Sequence, residues 1–176
     1  MNIAEANFLY SFILPLQNTV ADYIFSFISF LFNNGYFPII VGIILLFSTK
    51  QRKTGIRILL ALLIGLLIGN LVMKPFIARP RPYEFLNINL IVPLPHDFSF
   101  PSGHTQAAFA FATAVFIGNK KFGVAAFVLA LLVAFSRLYL LVHYPTDVLG
   151  GMLIGILWGY TAEIIIKYIN KKITPK

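Results

Sequence analysis

The sequence predicts an all-α membrane protein, a polytopic bundle of about five transmembrane helices preceded by an N-terminal interfacial helix. Three observations support this fold class. Of the 176 residues, 59% are hydrophobic and only 11% are charged, and a soluble domain of this size cannot bury so much apolar surface. Several apolar stretches approach the length of about 20 residues that a helix needs to cross a membrane. Most lysines and arginines flank those stretches.

The N-terminal third contains the interfacial helix and the first predicted span. From Asn2 to Gln17, apolar side chains recur at helical spacing, with Pro15 near the end of the stretch. The chain is then apolar from Asp22 to Phe47, but Asn33-Asn34-Gly35 and a proline interrupt it. One long broken span fits this stretch, and so does a half-embedded helix followed by a span. Six spans are therefore the alternative count.

Four more spans complete the predicted bundle. The second span covers Ile58 to Met73 and ends at Lys74, because the proline-rich stretch that follows cannot continue a regular helix. A loop from Tyr83 to Phe100 follows. The remaining spans are predicted over residues 102–118, 122–142 and 148–166. With no internal repeat or low-complexity linker, residues 1–176 are expected to form a single membrane-embedded domain.

Ten of the fourteen basic residues lie at one end of this predicted bundle. They stand between spans one and two, between spans three and four, and after span five: Lys50, Arg52, Lys53, Arg57, Lys120, Lys121, Lys167, Lys171, Lys172 and Lys176. The positive-inside rule makes that end cytoplasmic and the opposite end extracytoplasmic. Because topology accounts for these charges, the net charge of +8 does not indicate a nucleic-acid partner.

The other four basic residues fall together at the opposite end. They are Lys74, Arg79, Arg81 and Arg137. Cationic side chains beside membrane spans are costly unless paired or occupied, so this cluster predicts an anion site, with phosphate as the expected anion. Lys74 and Arg81 are positioned to converge on one oxyanion, although interfacial snorkelling also explains that pair. Arg79 is interpreted as a rim residue that contacts headgroups or water, with the alternative that it takes the phosphate-binding role in place of Arg81.

A second motif, Pro101-Ser102-Gly103-His104, stands at the start of span three. Ser102 is expected to cap the helix, and Gly103 lets a phosphate approach the backbone amides of the first turn. His104 then faces whatever is bound. The alternative is a plain helix start with a satisfied histidine.

The third motif contains Ser136-Arg137, His143 and Asp147. Arg137 interrupts an apolar run and therefore needs a partner or a ligand. Asp147 follows His143 by four residues, which places both on one face if the intervening turn is helix-like. A carboxylate on one imidazole nitrogen leaves the other nitrogen free to attack. Alternatively, Asp147 caps span five and His143 lies at the membrane interface.

The remaining polar residues predict no metal site. There are no cysteines, which excludes disulfides and cysteine-based metal sites. Asp147 is already assigned to His143, while Glu84 and Asp97 are expected to lie apart in the loop, so no carboxylate cluster is predicted. His96 and Asp97 are interpreted as ordinary solvated loop residues, with the alternative that they line the entrance to the site.

The three motifs in combination resemble the signature of the type 2 phosphatidic acid phosphatase superfamily of membrane lipid phosphatases. That signature is Lys, six residues, Arg-Pro; then Pro-Ser-Gly-His; then Ser-Arg, five residues, His, three residues, Asp. In this chain it reads Lys74 to Arg81-Pro82, Pro101 to His104, and Ser136-Arg137 to His143 and Asp147. No position departs from the signature in residue type or spacing.

The resemblance implies metal-independent hydrolysis of the terminal phosphate of a membrane lipid phosphate or diphosphate, with no cofactor. His143 would be the nucleophile that forms a phosphohistidine, Asp147 would orient it, and His104 would act as general acid and then as base. The residues implied to bind the phosphate are Lys74, Arg81, Ser102, Gly103 and Arg137. The implied location is the bacterial cytoplasmic membrane, with the site facing the periplasm or the cell exterior.

Bacterial enzymes of this kind act on undecaprenyl diphosphate, phosphatidylglycerophosphate, phosphatidic acid or the 1-phosphate of lipid A. The compact chain and the outward site favour undecaprenyl diphosphate or lipid A 1-phosphate, by analogy alone. Two alternative functions use the same residues. One is a lipid phosphotransferase, and the other is a non-catalytic phospholipid binder or transporter.

Overall fold

A computed structural model describes residues 3–85 and 90–173, and within them all regular secondary structure is helical. This confirms the predicted all-α class. The predicted interfacial helix began at Asn2, and Lys176 was among the ten basic residues predicted at one end; both residues lie outside the described ones. The α-helices are α1 Ile3–Phe8, α2 Thr19–Leu31, α3 Tyr36–Leu46, α4 Arg52–Ile64, α5 Lys74–Ile77, α6 Gly103–Gly118, α7 Lys120–Tyr139 and α8 Pro145–Ile173.

The N-terminal segment is helical and amphipathic. After α1 it continues as a π-helical stretch, Leu9–Ile13, and ends in a 3-10 turn, Leu14–Leu16. Its inner side packs against the connection between α7 and α8, burying Ala6, Leu9 and Ile13 with Leu141 and Tyr144. The side chains exposed on its other side are Phe8, Tyr10, Phe12 and Leu16. This pattern is typical of a helix that lies in a membrane interface.

Helices α2 and α3 are separated by a short 3-10 turn, Asn33–Gly35, and are bent by 41° relative to each other. Asn34 and Gly35 have φ angles of 49° and 72°, in the left-handed region that an α-helix cannot include. Beyond the bend the chain changes neighbours. The ring of Phe25 in α2 packs against Phe135 and Tyr139 of α7, whereas α3 packs along α4.

The predicted second span is longer than its apolar stretch suggested. Helix α4 is joined to α5 by a π-helical stretch, Gly65–Met73, so helical structure runs from Arg52 to Ile77. The prediction that the helix ends at Lys74 was wrong, because Pro75 falls in the first turn of α5, where a proline is tolerated. Ala78, at φ 48°, ends the helix.

Helix α6 lies at the centre of the bundle, in contact with α3, α4, α7 and α8. Glycines of α8 permit a close contact with α6: a Cβ on Gly155 would lie 2.5 Å from the Gln106 carbonyl oxygen, and one on Gly151 would lie 2.8 Å from the Ser102 carbonyl oxygen. Small residues allow helix backbones in a membrane to approach in this way. The contact fixes the start of α8 beside the start of α6.

The chain is an integral membrane protein with several candidate spans. Within the described ranges, three helical segments are long and apolar enough to cross a membrane, or four if the bent pair α2 and α3 counts as one span. The remaining predicted span, α6, has 16 residues. At 1.5 Å per residue it is about 24 Å long, less than the roughly 30 Å of a bilayer core. Five spans, with six as the alternative, therefore stay a prediction, as does the single domain.

Candidate active site

The third motif brings His143 and Asp147 together in a buried turn. After α7, Leu141 takes a φ of 56° and reverses the chain, so that His143 precedes the first turn of α8, which contains Asp147. Both side chains are almost completely buried. His143 Nδ1 is 3.5 Å from Asp147 Oδ2, and His143 Nε2 is 3.3 Å from Arg81 Nη1. One ring nitrogen therefore faces a carboxylate and the other faces a cation.

Ser99 completes the environment of this pair and was missed in the sequence. Its Oγ donates a hydrogen bond to Asp147 Oδ2 at 2.5 Å and lies 3.4 Å from His143 Nδ1. The Tyr144 backbone N–H donates to the same carboxylate oxygen at 2.9 Å. Asp147 is therefore held by a hydroxyl and a backbone amide in addition to its contact with His143.

The first motif brings Lys74 and Arg81 onto one oxyanion, as predicted, but that oxyanion is the carboxylate of Asp97. Arg81 Nη2 donates to Asp97 Oδ1 at 2.6 Å, and Lys74 Nζ pairs with Asp97 Oδ2. Arg81 is further fixed by hydrogen bonds from Nε to the Asp97 carbonyl and from Nη1 to the Val142 carbonyl, both 2.7 Å long. Both cationic side chains are buried.

The interpretation of Asp97 as an ordinary solvated residue was therefore wrong. Its side chain remains 55% exposed, but its carboxylate bridges two buried cations. Partial burial by itself raises the pKa of Asp97, but the hydrogen bonds and charges of Lys74 and Arg81 outweigh it and lower the pKa to about 2. Glu84 lies close by as well, accepting a hydrogen bond from the Arg81 backbone N–H. The two cations had to be paired, and the Asp97 carboxylate pairs them.

Arg137 is buried in the last turn of α7, and among the described residues its side chain has only a neutral partner. Its Nη1 donates to Ser29 Oγ of α2, while its Nε has no hydrogen-bond partner among the described residues. Within the same residues no carboxylate forms a salt bridge with it. The sequence predicted that this charge needs a partner or a ligand. Ser29 accepts one of the guanidinium's hydrogen bonds but does not neutralise its charge.

The second motif starts α6 but only partly as predicted. Ser102 occupies the N-cap position, yet its hydroxyl is bonded to the Thr105 hydroxyl at 3.0 Å and does not cap the backbone. Its backbone N–H instead donates to the Asp147 carbonyl at 3.1 Å. Gly103 and His104 face a cavity, and in the described structure the half-buried His104 ring has no hydrogen-bond partner. The prediction that the Ser102 hydroxyl caps the helix was wrong, because a second hydroxyl competes for it.

Arg79 is not a rim residue, and that interpretation is corrected. Its side chain is only 20% exposed and lies over the Tyr144 ring, with Cζ 4.2 Å from the ring centroid. Its Nη1 donates to Asp147 Oδ1 at 2.5 Å, and its Nη2 donates to Glu5 Oε2 at 2.7 Å. Two carboxylates therefore draw it inward, away from headgroups and water.

A partly open cavity of about 1030 Å³ connects these groups. At its polar end it is lined by Lys74, Arg81, His104, Arg137 and His143. It continues along apolar side chains of α4 and past the bend between α2 and α3, where its lining includes Leu59, Leu62, Leu66, Phe32 and Asn33. A molecule with an anionic head and an apolar tail matches both parts of this lining.

The cations also set the protonation state of His143. Burial, together with the charges of Arg81, Arg137 and Lys74, lowers the pKa of His143 well below its ordinary value of 6.5. The ring is therefore neutral at physiological pH, which is the nucleophilic form. Nowhere in residues 3–85 and 90–173 do three His, Asp or Glu side chains come together in a way that suits a metal ion.

The chain is similar in sequence and in structure to known proteins. The family model described as PAP2 superfamily matches residues 54–172. Undecaprenyl-diphosphatase BcrC of Bacillus subtilis (strain 168) is 34% identical over 147 residues, covering 84% of this chain and 76% of the relative. The crystal structure of Aquifex aeolicus LpxE superimposes with a TM-score of 0.77 at 30% identity, covering 92% of this chain and 93% of the other. The crystal structure of a PAP2-type phosphatidylglycerolphosphate phosphatase from Bacillus subtilis superimposes with a TM-score of 0.73 at 28% identity, covering 99% of this chain and 90% of the other.

Proposed function

The chain belongs to the PAP2 superfamily and is a membrane lipid phosphatase, and we propose that it removes a terminal phosphate through a phosphohistidine formed on His143. One observation carries this proposal. The Nδ1 side of His143 faces Asp147 and Ser99, while its Nε2 lies beside Arg81 at a cavity that Lys74 and Arg137 also line. A nucleophile oriented on one side and facing cations on the other suits attack on phosphorus.

The proposed reaction has two displacements. His143 Nε2 attacks the phosphorus, the bond from phosphorus to the lipid oxygen breaks, and His104 gives a proton to the departing oxygen. His104 then accepts a proton from water, which attacks the phosphohistidine and releases inorganic phosphate. Asp147 stabilises the positive charge that the ring carries in the intermediate.

The proposed phosphate cradle consists of Lys74, Arg81, Arg137 and the start of α6. The three cations stabilise the charge of the transition state, which is why no metal ion is proposed. Gly103 contributes a backbone amide of the first helical turn, which has no partner within the helix. Ser102 supports this turn through its backbone, because its hydroxyl points to Thr105.

Undecaprenyl diphosphate is the proposed substrate, with lipid A 1-phosphate next and phosphatidylglycerophosphate or phosphatidic acid after them. The 34% identity to an undecaprenyl-diphosphatase and the apolar continuation of the cavity support this order. We further propose that the protein spans the bacterial cytoplasmic membrane five times as a single domain. The asymmetry of its basic residues favours an extracytoplasmic site.

The test is phosphate release by the purified protein in detergent from those four lipids, with and without EDTA. We expect release with EDTA present, fastest from undecaprenyl diphosphate, and none from the His143→Ala variant. Activity lost with EDTA contradicts the metal-free mechanism. A phosphorylated lipid product without matching free phosphate indicates phosphotransfer instead, and function retained by His143→Ala indicates a binder or transporter.

A further inference from the structure

The Asp147 carboxylate is held from two opposite sides. Its Oδ2 faces His143 and Ser99, whereas its Oδ1 accepts a hydrogen bond from Arg79 Nη1 at 2.5 Å. The residue is fully buried, and a buried carboxylate without a charged partner is strongly destabilised. Arg79 therefore fixes the position of the carboxylate whose Oδ2 faces His143.

Glu5 of α1 holds Arg79 in turn. Its Oε2 accepts from Arg79 Nη2, and its Oε1 accepts from the Thr146 backbone N–H, both at 2.7 Å. Burial by itself raises the pKa of Glu5, but the hydrogen bonds from Thr146 and Arg79 outweigh it and lower the pKa. An ionised Glu5 thus ties α1 both to the guanidinium and to the turn that contains His143 and Asp147.

We propose that Glu5 and Arg79 are positioning residues that fix the Asp147 carboxylate and, through it, the His143 ring. This inference rests on the proposed role of His143 as nucleophile. Neither Glu5 nor Arg79 lines the cavity in which the phosphate would bind, so both act through Asp147 and not on the substrate.

The charges explain why two residues are needed. If Arg79 faced Asp147 alone, its full positive charge would offset the carboxylate that stabilises positive charge on His143. Glu5 shares the guanidinium, so more of the Asp147 charge remains available to the ring. Glu5 also fixes the guanidinium between the two carboxylates by occupying a different nitrogen.

Helix α1 does not depend on this ion pair alone for its attachment. Ala6, Leu9 and Ile13 pack against Leu141 and Tyr144 whether or not Glu5 is charged. Glu5→Gln keeps the size of the side chain but removes its charge and one of its two acceptor oxygens. The variant is therefore expected to fold with α1 in place.

The experiment compares Glu5→Gln, Arg79→Lys and the double variant in the phosphate-release assay with undecaprenyl diphosphate. Lysine keeps the charge but has no fork to reach Glu5 and Asp147 together. Each single variant should lower kcat about tenfold, the usual effect of losing such a supporting group, with KM within about twofold of the wild type. Because both residues act through one carboxylate, the double variant should be no slower than the slower single variant.

Glu163→Gln is the matched control, because Glu163 pairs with Arg57 at 2.7 Å with its side chain 15% exposed, against 10% for Glu5. It should lower the thermal unfolding temperature and leave kcat unchanged. If Glu5→Gln and Arg79→Lys also lower only the unfolding temperature, the pair is structural and the inference is wrong. His143→Ala in the same assay separates the two proposals. Phosphate release retained by His143→Ala overturns the proposed function. If His143→Ala releases no phosphate while Glu5→Gln and Arg79→Lys keep the wild-type kcat, only the inference is overturned.

Discussion

The two ends of the bundle each contain buried arginines, but only one end forms a site. At the end that carries the ten basic residues, Arg57 donates from Nε and Nη2 to Glu163 at 2.7 Å and from Nη1 to the Ala114 carbonyl at 3.3 Å. Its guanidinium is thus fully engaged. At the other end, within the part of the chain that the structure describes, Arg137 has one neutral partner and an unbonded Nε, beside two histidines and a large cavity.

This difference shows which feature of a buried charge indicates function. A paired arginine such as Arg57 holds helices together and has no donor left for a ligand. Arg137 has a charge that Ser29 does not neutralise, which is costly in a membrane protein unless an anion binds. An ion pair therefore explains packing, whereas an uncompensated cation beside a cavity predicts a ligand.

The largest expected effect separates the histidines at the site end. His143→Ala should lower phosphate release by about a thousandfold or more, because removal of a nucleophile leaves only the binding groups to assist the reaction. His96→Ala is the matched control, since His96 is an exposed loop residue at the same end. It should keep the wild-type rate. A comparable loss of phosphate release in both variants would mean that the loss does not come from removal of the nucleophile.

Substitution of Arg137 and of Arg57 tests the difference between the two ends directly. Arg137→Gln should lower kcat/KM about a hundredfold, in the range found when one donor to a developing oxyanion is removed. Arg57→Gln should lower the thermal unfolding temperature and leave kcat/KM within about twofold, because the guanidinium of Arg57 bonds to Glu163 and to the Ala114 carbonyl, away from the cavity. The distinction between the two arginines is wrong if Arg57→Gln lowers kcat/KM more than Arg137→Gln does, in protein that remains folded.

Under the proposed function Asp97 would compete with phosphate for Lys74 and Arg81, with which it is paired, so its removal should strengthen phosphate binding. Because the carboxylate is half-exposed, its pairing is worth at most about 1 kcal/mol, so the inhibition constant of inorganic phosphate should fall up to about fivefold in Asp97→Asn. Glu84→Gln is the control, since Glu84 bonds the Arg81 backbone and not its side chain. Weaker phosphate binding in Asp97→Asn would show that Asp97 positions the cations and does not compete.

The smallest expected effect concerns pH. The pKa of His143 is lowered by burial and by Arg81, Arg137 and Lys74, so the reactive neutral ring persists as pH falls through 6.5. The pH profile of kcat/KM reports groups of the free enzyme and substrate. It should therefore show no acid limb assigned to His143 near 6.5, once the ionisation of the substrate phosphate has been measured by phosphorus NMR. A limb at 6.5 that the substrate does not explain would contradict the lowered pKa.

Much of the site could be predicted because cations in an apolar chain require partners. That reasoning brought Lys74, Arg81 and Arg137 to one end, where the structure places them around the cavity. The same reasoning applies to carboxylates, and the chain has only six acidic residues. Five of them lie at the site end: Glu5, Asp22, Glu84, Asp97 and Asp147.

Other features could not be predicted, for two physical reasons. Glu5 and Arg79 are 74 residues apart, so only tertiary packing brings them together. The Ser102 hydroxyl has two local partners of similar energy, the backbone of the helix start and the Thr105 hydroxyl, and residue type does not decide between them. Ser99 carries no motif, and its bond to Asp147 depends on how the loop folds over α8.

The most direct test of the central claim is to trap the covalent intermediate. The purified protein is mixed with a lipid diphosphate labelled at its terminal phosphate, quenched in alkali within one turnover and analysed by peptide mass spectrometry. The account predicts an acid-labile, alkali-stable phosphoryl group on His143, absent from the His143→Ala variant. Phosphate release by the wild type with no label on the protein, or label retained by His143→Ala, would contradict it.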